Sequence, residues 1–174
     1  MTDNDTQNAD TPPATANAGN QQGPMSILAQ YVKDLSFENP HAPDTLRPNQ
    51  PTPDMNINVG LSVNKISEED SVYEVLMHVE ARATRKIEGQ AEQVVFVVEL
   101  EYAVLAGVDK VPERQHHPVL MIEVPKLAFP FARQILADTT SQGGYPPVLL
   151  NPVDFEGLYI QQYQDQQNKE KAAK

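Results

Sequence analysis

Cysteine is absent from the 174 residues of the chain, and so is tryptophan. Without thiolates the chain cannot form disulfides, iron–sulfur clusters or cysteine-ligated zinc sites, and it has no cysteine nucleophile. Basic residues are also scarce, since 13 Lys and Arg face 24 Asp and Glu, and the formal net charge is −11. A chain this acidic repels nucleic-acid phosphates and anionic lipid headgroups, so neither is a favoured partner. The composition predicts an acidic protein of the cytoplasm.

Long apolar runs are missing as well. The longest, 118–136, is interrupted by prolines and charged residues, which a membrane-spanning helix tolerates poorly. Residues 1–24 have neither the basic nor the apolar segment of a secretory signal, and they contain almost no large side chains. We expect a disordered tail over 1–24, one folded domain over 25–163 and a flexible tail over 164–174.

Four segments alternate apolar and polar residues with a period of two, which is typical of strands with one buried face. These segments are 27–38, 55–64, 71–84 and 92–104. Short turns, one of them at 88–90, join the last three segments. The first connection, 39–54, contains five prolines and predicts a long extended crossover. Together these features predict a four-stranded antiparallel sheet of Greek-key type.

The apolar spacing becomes helical from Gln115 to Ser141. Pro125 and Pro130 predict that this helix is kinked or segmented. It is apolar on nearly every side, and because one small sheet cannot bury it, we expect a second subunit to cover the rest. We expect Gly143 and Gly144 to end this helix. The apolar spacing over 152–164 predicts a short second helix. The predicted fold class is α+β.

Motifs for catalysis are scarce. The sequence contains no glycine-rich phosphate loop and no nucleophile elbow. His116 and His117 are adjacent on a predicted helix, so their side chains point about 100° apart and do not converge on one metal ion. The sequence therefore predicts no enzyme activity, no metal site and no cofactor.

The polar sides of two predicted strands are rich in carboxylates. Asp34 and Glu38 lie on the polar side of the first strand, and Glu99 and Glu101, with Val97, lie on that of the fourth. If the two sides coincide, they form one exposed surface with a small apolar area. Composition alone favours a merely solvated surface, and the alternative is a docking surface for a basic partner.

Surplus apolar residues flank the proline-rich crossover. They occur at its borders, in the loop before the second helix and on that helix: Leu46, Met55, Tyr145, Phe155, Leu158 and Tyr159. One interpretation is that they close the core. The other is that they line a groove that accepts extended apolar chains. The pattern alone leaves both interpretations open.

Five runs of the sequence resemble the SecB family of bacterial protein-export chaperones. The most specific are YVKDLSFENPHAP at 31–43 and LAFPFAR at 127–133, and SVYEV, HPVLMIEVP and PPVLLNPVDF agree in order. The resemblance covers about 25–163. The chain departs from the family at Ala103, Val104 and Ala106, where glycines and a phenylalanine are usual, and we expect different local packing there.

The resemblance implies an ATP-independent chaperone, or holdase, of the cytoplasm. Such a protein binds unfolded precursor proteins in hydrophobic grooves, keeps them competent for translocation and delivers them to the SecA motor as a homotetramer, a dimer of dimers. The SecA-docking residues of the family correspond here to Asp34, Glu38, Val97 and Glu99. This match favours the docking hypothesis for the acidic strand sides, and it favours a client groove for the six apolar residues.

Three alternatives remain open. A SecB-like chaperone dedicated to one client, such as a toxin–antitoxin pair, would be distinguished by its narrow client set. An enzyme that uses Glu and His on the sheet would show converging titratable groups and saturable turnover. A purely structural oligomer would bind neither unfolded chains nor SecA.

Overall fold

The structure, a computed structural model, describes most of the predicted folded domain. Its described residues are 25–67, 71–86, 89 and 91–161. The predicted tails, 1–24 and 164–174, lie outside them. Of the predicted turn at 88–90 only Gly89 is described, and its φ of +76° lies in the left-handed region that favours glycine.

Four strands form one antiparallel sheet in the order β1-β4-β3-β2. The strands are β1 (Ser26–Glu38), β2 (Asp54–Lys65), β3 (Val72–Arg85) and β4 (Gln93–Gly107). Consecutive strands β2, β3 and β4 are neighbours, whereas the long crossover after β1 carries the chain to the opposite edge of the sheet. The predicted Greek-key arrangement is therefore confirmed.

One face of the sheet is apolar because the alternating residues of neighbouring strands are in register. Val79 of β3 pairs with Val59 of β2 and with Leu100 of β4. On the same face Ala81 and Ala83 are fully buried, and their small side chains let a helix approach closely. This inner face of the sheet carries most of the core.

The first strand does not alternate uniformly, contrary to the sequence prediction. Its pairing with β4 shifts at two points, which leaves Leu28 and Lys33 without a direct partner. Each such bulge adds one residue and reverses the side on which the following residues lie. Tyr31 and Asp34 consequently share the outer face, although the simple alternation predicted that they lie on opposite faces.

The residues at which the chain departs from the family lie inside the sheet, near the end of β4. Ala103, Val104 and Ala106 are all buried, and β4 continues beyond them to Gly107. Ala103 lies directly opposite Tyr31 of β1. Small residues at these positions allow the larger cross-strand neighbours to pack over them.

A long helix, α1, packs against the inner face. Its consecutive parts are a 3₁₀ turn (Glu113–Gln115), a short α-helical turn (His116–Pro118), a π-helical segment (Val119–Glu123) and a regular α-helix (Val124–Gln142). The predicted segmentation is confirmed. The π-helical segment lies between Pro118 and Pro125, and neither proline has an N–H group to donate to the helical ladder.

Only one side of α1 is covered. Ala128, Ala132 and Leu136 are buried against the sheet, whereas Leu127 and Phe131 on the other side are 49% and 53% exposed. The sheet alone leaves these large apolar side chains in water, as the apolar pattern of the helix predicted. Within the described ranges, no helix is both long enough and apolar enough to cross a bilayer.

Two glycines end α1, as predicted. The N–H of Gly144 donates to the carbonyl of Ser141 at 3.0 Å, and the N–H of Tyr145 donates to the carbonyl of Thr140 at 3.2 Å. These two bonds form a Schellman motif, which requires a left-handed residue at its turn. Gly144 supplies it with a φ of +89°. The motif turns Tyr145 back toward the sheet.

The second helix, α2, covers 155–161 of the described residues. It begins later than the predicted residue 152 because Asp154 caps it, with its Oδ1 accepting the N–H of Gly157 at 3.0 Å. Phe155 stands at the start of α2 and is buried against Phe129 of α1, with the ring centroids 5.7 Å apart. The helix therefore closes one end of the core.

Candidate functional site

The pairing of β1 with β4 brings the predicted docking residues together on the outer face. Glu38 pairs directly with Val97, and two residues earlier Ser36 pairs with Glu99. Asp34 pairs with Glu101 and extends the surface along the strands. Directly opposed residues of neighbouring strands point to the same side of a sheet. We call this surface the acidic face, and it comprises Asp34, Glu38, Val97, Glu99 and Glu101.

The carboxylates of the acidic face are presented to solvent. Asp34, Glu38 and Glu99 are exposed, and Val97 is half-buried between them. In the described part of the chain these three carboxylates have no ion-pair partner. The surface can therefore attract a cationic partner and offer it a small apolar contact.

Residues of β3 border the acidic face. Arg82 pairs with Val97, and His78 pairs with Glu101. Glu80 lies between them and accepts a hydrogen bond from Asn58 of β2 at 3.3 Å. The negative charge is thus concentrated on the β1 and β4 side and extends to Glu80, and the cation of Arg82 limits it beside Val97.

A groove of about 590 Å³ lies between the crossover, the start of β2 and the loop after α1. Three of the six predicted groove residues line it, namely Leu46, Met55 and Tyr145. Ile57 and Leu149 also line the groove, and neither is among the six residues named above, although Leu149 lies in the apolar loop that the sequence singled out. Their signals were the alternation of β2 and the apolar loop that follows the glycine pair.

Aromatic rings form the floor of the groove. The ring centroids of Tyr145 and Phe96 lie 4.8 Å apart, and Phe96 stacks on Phe37 of β1 at 5.9 Å. Phe96 is buried and cannot move without disturbing the core. The floor is therefore a rigid apolar surface that belongs to the sheet.

Hydrogen bonds fasten the start of the crossover to this floor. The Tyr145 hydroxyl lies 2.8 Å from Thr45 Oγ1 and 2.9 Å from Asn39 Oδ1. Thr45 is buried, so its hydroxyl needs these partners inside the protein. Tyr145 thus connects the C-terminal end of α1 to the crossover.

The end of the crossover is held by Arg85 of β3. This residue is only 5% exposed. Its Nε donates to the Pro51 carbonyl at 2.9 Å and its Nη1 donates to Gln50 Oε1 at 2.7 Å. Arg85 also lines the groove and places a cation in a largely apolar wall. Sequence reasoning missed it because it stands at the end of an ordinary alternating strand.

The other three predicted groove residues do not line this groove. Phe155 is 2% exposed and belongs to the core. Leu158 packs against the same core, and the Tyr159 ring lies 5.5 Å from that of His117. Phe155 and Leu158 thus pack with the core, and a role of these three residues in client binding stays a prediction.

The adjacent histidines contact different partners. The two ring nitrogens of His116 lie 2.7 Å from the Val111 carbonyl oxygen and 3.3 Å from the Tyr73 hydroxyl. The Nδ1 of His117 lies 3.4 Å from the Tyr159 hydroxyl. Their side chains diverge, as the helical geometry predicted.

Comparison with known proteins gives a consistent result over most of the chain. The family model described as preprotein translocase subunit SecB matches residues 18–166. A protein-export protein SecB of Parvibaculum lavamentivorans is 44% identical, over 100% of this chain and 99% of its own length. Another, from Maricaulis maris, is 48% identical over 82% of this chain and 79% of its own length.

One solved structure shares the fold. It is a SecB-like chaperone of Mycobacterium tuberculosis in complex with a ChAD peptide from an antitoxin, and it is 18% identical. The two structures superpose with a TM-score of 0.58 over 74% of this chain and 90% of the other. At this identity the match concerns the arrangement of strands and helices alone.

Proposed function

The chain belongs to the SecB family of protein-export chaperones, and we propose on this premise that it acts as an ATP-independent holdase. It binds unfolded precursor proteins, keeps them competent for translocation and delivers them to SecA in the cytoplasm. The observation that carries this proposal is the open, largely apolar groove between the crossover and the loop after α1.

The groove suits an extended apolar chain. Leu46, Met55 and Leu149 are exposed at its rim, where a bound chain would remove apolar area from water. β2 is an edge strand, and its unpaired backbone groups lie beside the groove. An unfolded precursor offers both apolar side chains and backbone groups, whereas its folded form buries them. Selection then depends on the folding state and needs no sequence motif.

The acidic face suits delivery to SecA. Its carboxylates attract a basic surface at long range, and Val97 adds apolar contact once the partner is bound. Met55 and Ile57 of the groove lie on the inner side of the sheet, and Asp34 and Glu99 lie on the outer side. This arrangement supports simultaneous binding of a client and of SecA.

A homotetramer, a dimer of dimers, fits the remaining apolar surface. Leu127 and Phe131 on the open side of α1 would be buried by the helix of another subunit. Several grooves on one particle would also hold a long client by avidity. A formal charge of −11 on every subunit would keep such an assembly soluble despite its apolar grooves.

The test is titration calorimetry against one slow-folding secretory polypeptide, first unfolded and then native. We expect binding to the unfolded form alone, with a negative heat-capacity change from apolar burial. Binding to neither form would contradict the holdase function. Binding restricted to one client among several unfolded polypeptides would favour a dedicated chaperone.

A further inference from the structure

The bulge in β1 places a lysine among the docking carboxylates. Lys33 is the extra residue between Val32 and Asp34 in the β1–β4 pairing. In a bulge two residues of one strand oppose a single residue of its partner. Lys33 therefore lies beside Asp34 and close to Glu101. A free lysine there would pair with these carboxylates and compete with the cations of a docking partner.

Glu74 of β3 holds this lysine. The Lys33 Nζ lies 2.8 Å from Glu74 Oε2, and the Tyr31 hydroxyl donates to Glu74 Oε1 at 2.5 Å. Both carboxylate oxygens are thus engaged from β1, and Glu74 is only 7% exposed. Hydrogen bonds from Lys33 and Tyr31 hold the pKa of Glu74 below its usual range, and the bond to Glu74 raises the pKa of Lys33. The contact is made between charged groups.

We propose that Glu74 is a positioning residue of the acidic face, because it withdraws the charge of Lys33 from Asp34 and Glu101. The two carboxylates then remain available to a basic partner. This inference deepens the docking function proposed above and rests on it. It assigns a role to a buried glutamate of β3 that is not itself part of the acidic face.

The decisive test is a rescue experiment. Glu74→Gln keeps the size of the side chain and removes its charge, so Lys33 is released toward the docking carboxylates. We expect the dissociation constant for SecA to rise roughly two- to fivefold, in the range of one exposed charge pair. Adding Lys33→Met should restore it to near the wild-type value, because no cation is left to compete.

A purely structural role predicts the opposite. The double variant lacks both Glu74 and Lys33, the two ends of the ion pair. If Glu74 acts on fold stability alone, the SecA affinity of the double variant stays as low as that of Glu74→Gln. That result would overturn the proposal. The matched control is Glu92→Gln, which removes the partner of Lys86 in another ion pair, between the end of β3 and the start of β4. We expect it to leave SecA affinity unchanged.

A second readout does not need SecA. The NMR chemical shifts of the Asp34 and Glu101 carboxyl carbons at neutral pH should change in Glu74→Gln and return toward the wild-type values in the double variant. Unchanged carboxyl shifts in Glu74→Gln would overturn the proposal whether or not SecA binds. If the shifts change while the wild-type protein fails to bind SecA, the proposed docking function fails and the charge withdrawal stands.

Discussion

Glu38 of β1 pairs directly with Val97 of β4, so a carboxylate and an aliphatic side chain stand side by side on the outer face of the sheet. These residues are far apart in the sequence, and only the β1–β4 ladder joins them. The acidic face therefore exists only while this ladder is formed. If the first strand frays, the acidic face is lost.

The docking and capture functions should separate by mutation. We expect Asp34→Ala with Glu99→Ala to weaken SecA binding about tenfold or more, because two exposed carboxylates are lost from one surface. Capture of unfolded chains should persist, since the groove lies on the other side of the sheet. Calorimetry with each ligand measures both. Equal loss of the two activities in a folded variant would refute the separation.

The matched control for this variant is Asp109→Ala with Glu113→Ala. Both residues are exposed outside the acidic face, Asp109 in the loop after β4 and Glu113 at the start of α1, and the change in net charge is the same. SecA affinity should stay close to that of the wild type. An equal loss would show that net charge, rather than the acidic face, governs the interaction.

The groove should be disabled by a single charge at its rim. Leu149 is 61% exposed and lines the groove, so Leu149→Asp should weaken binding of unfolded clients several-fold at little cost in stability. Fluorescence anisotropy of a labelled unfolded client measures the effect. Ile160→Asp is the control, because Ile160 is similarly exposed on α2 and does not line the groove. Comparable losses in both variants would argue against this groove.

Phe155 should prove to be a core residue. Its ring is buried against Phe129, so Phe155→Ala should lower the free energy of unfolding by about 3–5 kcal/mol. The affinity of the folded fraction for clients should not change. Urea denaturation followed by client binding below the transition checks both. Weakened binding with unchanged stability would return Phe155 to the client groove.

The Glu74 anchor should make stability depend on pH. Hydrogen bonds from Lys33 and Tyr31 lower the pKa of Glu74, so the folded protein binds fewer protons at this site than the unfolded chain. The stabilisation is complete above the usual glutamate range and disappears as the pH falls through the folded-state pKa. Glu74→Gln should thus be less stable than wild type at neutral pH and closer to it near about pH 3. A constant difference in urea midpoints at both pH values would refute this.

The structure has no room for an added methyl group at Gly143, where the end of α1 contacts β1. A Cβ at Gly143 would lie 2.2 Å from the Phe37 ring, which is held by its stacking on Phe96. Gly143→Ala should cost about 1–3 kcal/mol of stability, measured by thermal or urea unfolding. Gly60→Ala is the control, since the nearest atom to a Cβ there is 4.0 Å away. Phe37→Leu should partly relieve the clash.

Period-two alternation sufficed for the strands that run without interruption. The segment predicted from Met55 to Asn64 is β2, one residue longer at each end, because every apolar side chain on it lies on the inner side of the sheet. Alternation fails in β1 because a bulge has no local signature. The bulged Lys33 contacts Glu74, which is 41 residues away in the sequence.

The groove was only half predictable for a related reason. Leu46, Met55 and Tyr145 lie on segments whose direction is set by prolines and glycines visible in the sequence. The orientation of α2 depends instead on the Asp154 cap and on the pocket under Phe129, which is formed only in three dimensions. Apolar residues of α2 therefore could not be divided between core and groove from their spacing.

The crossover that forms one wall of the groove is fastened at few points. Tyr145 holds its start, and Arg85 holds its end through Gln50 and Pro51. The residues between these points contribute nothing to the ladders of the sheet. Client preference can thus evolve by substitution or insertion in the crossover without disturbing the sheet, α1 or the acidic face. For a protein engineer the crossover is an exchangeable cassette, in the way that a hypervariable loop is on an antibody framework.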